Sequence, residues 1–129
     1  MLILTNGNVV TRDESRPFLA NGAVAIDGGL IREIGDTAAL TAKYPDAEFL
    51  DARGGVIMPG LINAHNHIYS AFARGLAIKG NNPRNFLEIL DQLWWTIDRH
   101  LLLDDTAASA DATFIDCIEN GVTTVFDHH

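Results

Sequence analysis

Residues 55–67 read Gly-Val-Ile-Met-Pro-Gly-Leu-Ile-Asn-Ala-His-Asn-His, and this stretch decides the predicted fold. Pro59-Gly60 predicts a sharp turn into a short apolar strand that begins at Leu61. Side chains two residues apart on a strand project to the same side, so His65 and His67 can reach one ion together. Imidazole nitrogens suit Zn²⁺, Fe²⁺ and similar ions. The stretch therefore predicts part of a divalent-metal site.

The residues before this stretch, 1–58, are rich in short strand patterns. Two of these patterns flank Asp27-Gly28-Gly29, which is a typical hairpin sequence. Asp36 is a candidate N-cap for a short helix that ends at Tyr44. We predict that this half forms the strands of a small β-sandwich.

Residues 59–129 show a different pattern, in which a strand, two helical segments and a second strand follow one another. Apolar residues recur at steps of three and four in both segments, which predicts two amphipathic helices. Gly121 comes where a helix ends, and Val122–Asp127 reads as a buried strand. This order is the βαβ unit of a parallel sheet, so the predicted fold class is α/β. The repeating positions are Phe86, Leu90, Leu93, Ile97 and Leu101, then Ala107, Ala110, Phe114 and Ile118.

Asp127, His128 and His129 follow the second parallel strand. The carboxyl ends of parallel barrel strands meet on one face, where active sites lie, so we expect these residues near the histidine pair. Asp127 and His128 line a substrate pocket in one interpretation. In the other, Asp127 orients a neighbouring histidine or backbone group and the histidines are loop residues.

Three further residues flank the predicted site: Asn63, Tyr69 and Trp95. Each is a candidate substrate contact, and a structural role is equally open for each. Trp94 lies on the apolar stripe of its helix and Trp95 on the flank, so core packing is the simpler interpretation of the tryptophan pair.

Composition excludes several classes of protein. The chain of 129 residues is 47% hydrophobic and 20% charged, and no apolar run approaches the roughly 18–20 residues of a membrane span. A net charge of −8 with nine scattered Lys and Arg argues against a nucleic-acid partner. The N-terminus lacks the features of an export signal, so we expect a cytoplasmic protein. The single cysteine, Cys117, is expected at a buried helix position.

Gly55–His67 resembles the first barrel strand of the amidohydrolase superfamily, and the β-rich residues before it resemble that superfamily's N-terminal sandwich strands. Leu93-Trp94-Trp95 and Gly121–His129 are similar to aminohydrolases of the SsnA type and, less closely, to 8-oxoguanine deaminases and triazine chlorohydrolases. The resemblance covers the whole chain. It implies a partial (β/α)8 barrel over 59–129, preceded by an incomplete β-sandwich over 1–58.

The resemblance also implies a metal-dependent hydrolase that cleaves a carbon–nitrogen bond of a small cyclic or heteroaromatic substrate and is a homo-oligomer at full length. The metal, zinc first and iron second, would be held by His65 and His67 together with two later histidines and a late aspartate. No residue that performs the acid–base chemistry is therefore expected within this chain.

A complete barrel needs roughly 250 residues, so the chain is predicted to be the N-terminal portion of such an enzyme. Alone it is expected to lack hydrolase activity and to bind metal weakly. Two alternatives stay open. The chain is a non-catalytic binding module with a vestigial metal pair, or the enzyme is a dechlorinating hydrolase, because the residues that select the reaction would lie downstream.

Overall fold

The computed structural model describes residues 1–76 and 78–128, and its N-terminal unit, Met1–Pro59, is built on a five-stranded sheet. Three strands form an antiparallel meander. Two short strands then add in parallel orientation to the other edge of the first strand. The strands in chain order are β1 (Leu2–Val10), β2 (Phe18–Asp27), β3 (Leu30–Asp36), β4 (Glu48–Asp51) and β5 (Val56–Ile57).

The predicted hairpin joins β2 to β3. Gly28 and Gly29 have φ values of 58° and 77°, a left-handed region that glycine adopts without steric cost. Helix α1 (Thr37–Lys43) follows, with Asp36 at its N-cap and Tyr44 at its C-cap, so both predicted helix boundaries are confirmed.

Two apolar clusters form the core of this unit. In the first, Leu40 of α1 packs against Ile3, Ala23 and Ala25 of the sheet, and the second contains Val9, Leu19 and Val24. Leu40 is only 1% exposed. Because full burial of a leucine contributes roughly 1.5–3 kcal/mol, this side chain is a main anchor of α1 on the sheet.

The C-terminal unit, Gly60–His129, contains the two predicted strands in parallel. Asn66 of the first strand lies opposite Asp127 of the second. Gly60 lets the strands approach closely, because a Cβ at this position would overlap the Thr123 side chain. The strands are β6 (Leu61–Asn66) and β7 (Val122–Asp127), and between them lie a 3₁₀ segment (Ile68–Ala73), α2 (Phe86–Ile89), a π turn (Leu90–Trp94), α3 (Trp95–Asp98) and α4 (Leu103–Glu119).

The first predicted helical segment differs from a regular amphipathic helix. Its middle turn, Leu90–Trp94, is a π-helix, which has wider turns than an α-helix and often marks functional positions. Phe86 remains 72% exposed, so the predicted apolar stripe is not buried at its start. Among the residues that the structure describes, every helix is too short or too polar to cross a bilayer.

Within this chain, the face of α4 that packs inward differs from the predicted apolar stripe. Ser109 and Cys117 are buried, whereas Phe114 and Ile118 of the predicted stripe are 45% and 75% exposed. The hydroxyl Oγ of Ser109 accepts a hydrogen bond of 3.2 Å from the backbone amide of Phe72 in the 3₁₀ segment. Such a close approach of backbone to helix requires small side chains, which explains why the packed face is not the most apolar one. The expected burial of Cys117 is confirmed.

Candidate metal centre

The histidine pair lies at the carboxyl end of β6. Nε2 of His65 and Nε2 of His67 are 3.1 Å apart, and the two rings meet edge to face at 76°. His65 is exposed and His67 is half-buried, so the space beside the two nitrogens is open to solvent.

This separation fits two ligands of one ion. Two nitrogens that each lie about 2.0–2.1 Å from a tetrahedral zinc ion are roughly 3.3 Å from each other. The observed distance of 3.1 Å is close to that value. Without an ion, one Nε2 has to carry a hydrogen and donate it to the other. The donor set is therefore chemically suited to a divalent transition metal.

The end of β7 lies beside the pair. The carbonyl oxygen of His128 is 3.0 Å from Nδ1 of His67. The imidazole ring of His128 stacks on that of His65 with a centroid distance of 4.8 Å. The carboxylate Oδ1 of Asp127 accepts a hydrogen bond of 2.8 Å from the amide of Ile68. Asp127 and His128 thus lie next to the histidine pair, whereas His129 is outside the described residues.

A cavity of about 540 Å³ opens next to the histidines. Asn63 lines it, as does Trp94, whose ring centroid is 5.7 Å from that of His67. Trp95 does not line this cavity and is 41% exposed. The aromatic residue beside the site is therefore Trp94, because the inward stripe of the helix presents this residue and turns the next one to the flank. The sequence had instead marked Trp95 as the candidate substrate contact and Trp94 as a core residue, so the prediction for Trp95 is wrong for this cavity.

Tyr69 lies close to the pair but faces a second cavity of about 440 Å³. Its ring centroid is 6.4 Å from that of His67. Burial, followed by a hydrogen bond with Asp98, raises the pKa of the Tyr69 phenol. Tyr69 is consequently a neutral donor that links the 3₁₀ segment to α3.

Asn66 was not among the predicted site residues. The Oδ1 atom of Asn66 accepts a hydrogen bond of 2.8 Å from the amide of His67, and the residue also lines the larger cavity. Within the described ranges, no group of three His, Cys, Asp or Glu side chains converges as the ligands of one ion would. The described residues thus bring two candidate ligands together, fewer than a catalytic metal site uses.

The chain is similar to known proteins over nearly its whole length. Residues 22–47 match the imidazolonepropionase-like composite domain of bacteria. The 5'-deoxyadenosine deaminase of Methanococcoides burtonii is 31% identical over 126 residues, which are 98% of this chain and 27% of that protein. The 5-methylthioadenosine/S-adenosylhomocysteine deaminase of Nitratidesulfovibrio vulgaris is 31% identical over 119 residues, 92% of this chain and 26% of that protein.

A solved structure extends the match. Atrazine chlorohydrolase TrzN from Arthrobacter aurescens TC1, complexed with zinc, aligns with a TM-score of 0.80 at 26% identity, over 100% of this chain and 29% of that one. The chain is similar over nearly its whole length to the N-terminal portion of amidohydrolase-superfamily enzymes. These matches confirm the resemblance inferred from residues 55–67, and the mixed α/β class is confirmed with it. The chain spans between a quarter and a third of the length of the amidohydrolase relatives described above.

Proposed function

We propose that this chain supplies the N-terminal part of a metal-dependent hydrolase that cleaves a carbon–nitrogen bond of a small heteroaromatic compound. The observation that carries the proposal is the 3.1 Å separation of Nε2 of His65 and Nε2 of His67 at the carboxyl end of a parallel strand. A purine nucleoside is the first candidate substrate, because relatives about 31% identical over nearly the whole chain are adenosine-type deaminases.

The proposed domain organisation follows the sequence pattern. Residues 1–58 contribute strands of an incomplete β-sandwich, and residues 59–129 begin a (β/α)8 barrel. The parallel pairing of β6 with β7 supports the second assignment, since a barrel is built from parallel strands joined by helices. On this proposal the site occupies the barrel face on which catalytic residues are found.

His65 and His67 would hold the divalent ion, with zinc favoured and iron second. Zinc is present in the structural neighbour TrzN, and two imidazoles are common zinc ligands. A bound ion of this kind supplies Lewis-acid chemistry that activates water as a nucleophile near neutral pH. The contribution of this chain is to present one nitrogen from β6 and the other from the residue that directly follows the strand.

Trp94 is proposed to form a wall for the substrate ring. Its indole lies beside His67 and lines the 540 Å³ cavity, and an aromatic face stacks well against a planar heterocycle. Asn63 lines the same cavity and offers an amide that both donates and accepts hydrogen bonds. Asp127 and His128 support the site from the neighbouring strand.

Dechlorination is the second candidate reaction, and the similarity to an atrazine chlorohydrolase favours it. Deamination has the stronger support in sequence identity. The two reactions separate in an assay of the complete encoded polypeptide, because one releases ammonia and the other releases chloride. A non-catalytic module would release neither.

The metal assignment is tested by zinc titration of the 129-residue chain. His65→Ala and His67→Ala are expected to weaken zinc binding at least about tenfold, since even the loss of an outer-shell partner costs 10- to 100-fold. His100→Ala is the matched control, because this exposed imidazole bonds to the carbonyl of Thr96 outside the site. Equal zinc affinity in the wild type and both site variants would exclude the assignment.

A further inference from the structure

Three hydrogen bonds join Asp127 and His128, at the end of β7, to His67 and its two neighbours in the chain. The amide of His128 donates to the carbonyl of Asn66 at 2.8 Å. The amide of Ile68 donates to Oδ1 of Asp127, also at 2.8 Å. Between these two bonds, Nδ1 of His67 lies 3.0 Å from the carbonyl oxygen of His128. The residue before His67, the residue after it and its ring are thus each tied to the neighbouring strand.

The ring contact determines which nitrogen of His67 is available. A carbonyl oxygen only accepts hydrogen bonds, so Nδ1 of His67 must carry the hydrogen that is donated to His128. A neutral imidazole carries one ring hydrogen, so Nε2 keeps its lone pair. Nε2 is the atom that lies 3.1 Å from Nε2 of His65. The contact with His128 therefore orients the ring of His67 and leaves Nε2 as the nitrogen without a hydrogen that faces His65.

Asp127 contributes the side-chain part of this arrangement. Ile68 begins the 3₁₀ segment, and the first amides of a helical segment have no acceptor within it. A carboxylate is a strong acceptor for such an amide. Ile68 is 8% exposed, so water has little access to replace the carboxylate. Loss of the Asp127 carboxylate would release the turn that directly follows His67.

We propose that Asp127 is a positioning residue for His67. Its carboxylate holds the amide of Ile68, and the turn fixed in this way keeps the ring of His67 against the carbonyl of His128 in the Nδ1–H tautomer. The benefit to metal binding rests on the proposed function, whereas the selection of the tautomer does not. Asp127 acts through the backbone and is not itself proposed as a ligand.

The experiment compares Asp127→Asn and Asp127→Leu in the 129-residue chain. Nitrogen-15 NMR reports the tautomer of His67 without metal, at a mildly alkaline pH at which free imidazoles are neutral. The Nδ1–H form is expected in the wild type and in Asp127→Asn, whose amide oxygen still accepts from Ile68. Asp127→Leu is expected to give a mixture of tautomers and roughly tenfold weaker zinc binding. Asp111→Leu, on the exposed face of α4, is the control for loss of a carboxylate.

The outcomes separate this proposal from the metal assignment. A wild-type His67 in the Nε2–H form would overturn the proposed positioning role of Asp127 before any variant is made. A folded Asp127→Leu with an unchanged tautomer and unchanged zinc affinity would overturn it as well. If circular dichroism shows Asp127→Leu to be unfolded, Asp127→Asn decides, because a changed tautomer in that variant contradicts the role of the acceptor. A tautomer that shifts as expected in a chain that binds no zinc supports positioning and refutes the metal assignment.

Discussion

At the scale of single residues, His65 lies on β6 and His67 directly follows that strand, so the backbone rather than long side-chain rotamers sets the separation of the two imidazoles. His65 and His67 are two residues apart, and their Nε2 atoms already lie 3.1 Å from each other. Under the proposed function, little side-chain entropy would be lost when both imidazoles bind one ion, because sites held by regular elements are better preorganised than sites on loops. The same spacing on a flexible loop would not have this consequence.

The substrate wall can be tested with the adjacent tryptophans. In an active enzyme that carries this sequence, Trp94→Ala is expected to raise the KM for a purine nucleoside roughly tenfold, because stacking of a base on an aromatic ring is worth about 1–3 kcal/mol. Trp94→Phe keeps an aromatic face and should lose less. Trp95→Ala is the matched control, since Trp95 does not line the cavity beside the histidines. Steady-state kinetics with equal KM changes for both alanine variants would contradict the assignment of the wall to Trp94.

The residues that could be predicted are those whose role follows from spacing along one element. The closeness of the two imidazoles follows from their spacing at the end of β6, whereas Trp95 was the predicted substrate contact and Trp94 was interpreted as a core residue. An orienting role for Asp127 was one of the two interpretations of the sequence, but its partner Ile68 could not be named, because the two residues are 59 positions apart and their contact depends on the register between β6 and β7.

At the scale of elements, an exposed ion pair links α1 to β3. Nζ of Lys43 lies 2.6 Å from Oε2 of Glu33, and the hydroxyl of Tyr44 donates to the same oxygen at 3.0 Å. The hydrogen bond from Lys43, followed by that from Tyr44, lowers the pKa of the Glu33 carboxyl from its ordinary value of 4.5. The same pairing with Glu33 raises the pKa of Lys43 above 10.5.

This pair predicts a pH dependence of the N-terminal unit. A folded-state pKa below the unfolded value stabilises the fold above pH 4.5, and the contribution is lost as the pH falls through the lowered pKa. Lys43 has the opposite sign, so its contribution is present below pH 10.5 and is lost as the pH rises through its raised pKa. Glu33→Gln is therefore expected to unfold with a shallower acid dependence than the wild type. Urea titrations between about pH 3 and 6 measure this, with Glu14→Gln in the loop before β2 as the charge control. If the free energy of unfolding falls equally steeply toward acid pH in the wild type and in Glu33→Gln, the predicted contribution of Glu33 is refuted.

Element type was easier to predict than element packing. Gly28-Gly29, Asp36 and the strand patterns carry local signals, and the hairpin, α1, β6 and β7 are present as those signals indicate. The inward face of α4 was not predictable from apolar content, since the close backbone contact at Ser109 selects small side chains. The π turn at Leu90–Trp94 likewise has no signature in a pattern of steps of three and four.

At the scale of the whole molecule, the C-terminal unit leaves many large apolar side chains in solvent. The exposed fractions reach 62% for Ile62 on β6, 59% for Phe126 on β7 and 75% for Ile118 on α4. Each of the parallel strands pairs on one side only within the described sheet, whereas parallel sheets are normally covered on both faces. Under the proposed function, later strands and helices of the barrel cover these surfaces.

The same reasoning predicts that the 129-residue chain has no turnover of its own. Catalytic zinc sites use three protein ligands and keep one position for water or substrate. In the part of the chain that the structure describes, two imidazoles converge and no third ligand joins them. With zinc added, the purified chain is therefore expected to release no ammonia from 5'-deoxyadenosine above the level of a metal-free sample. A coupled ammonia assay measures this, with a known adenosine-type deaminase as the positive control. Zinc-dependent turnover that disappears in His67→Ala would contradict the prediction, and would mean that two histidines of this chain suffice for catalysis.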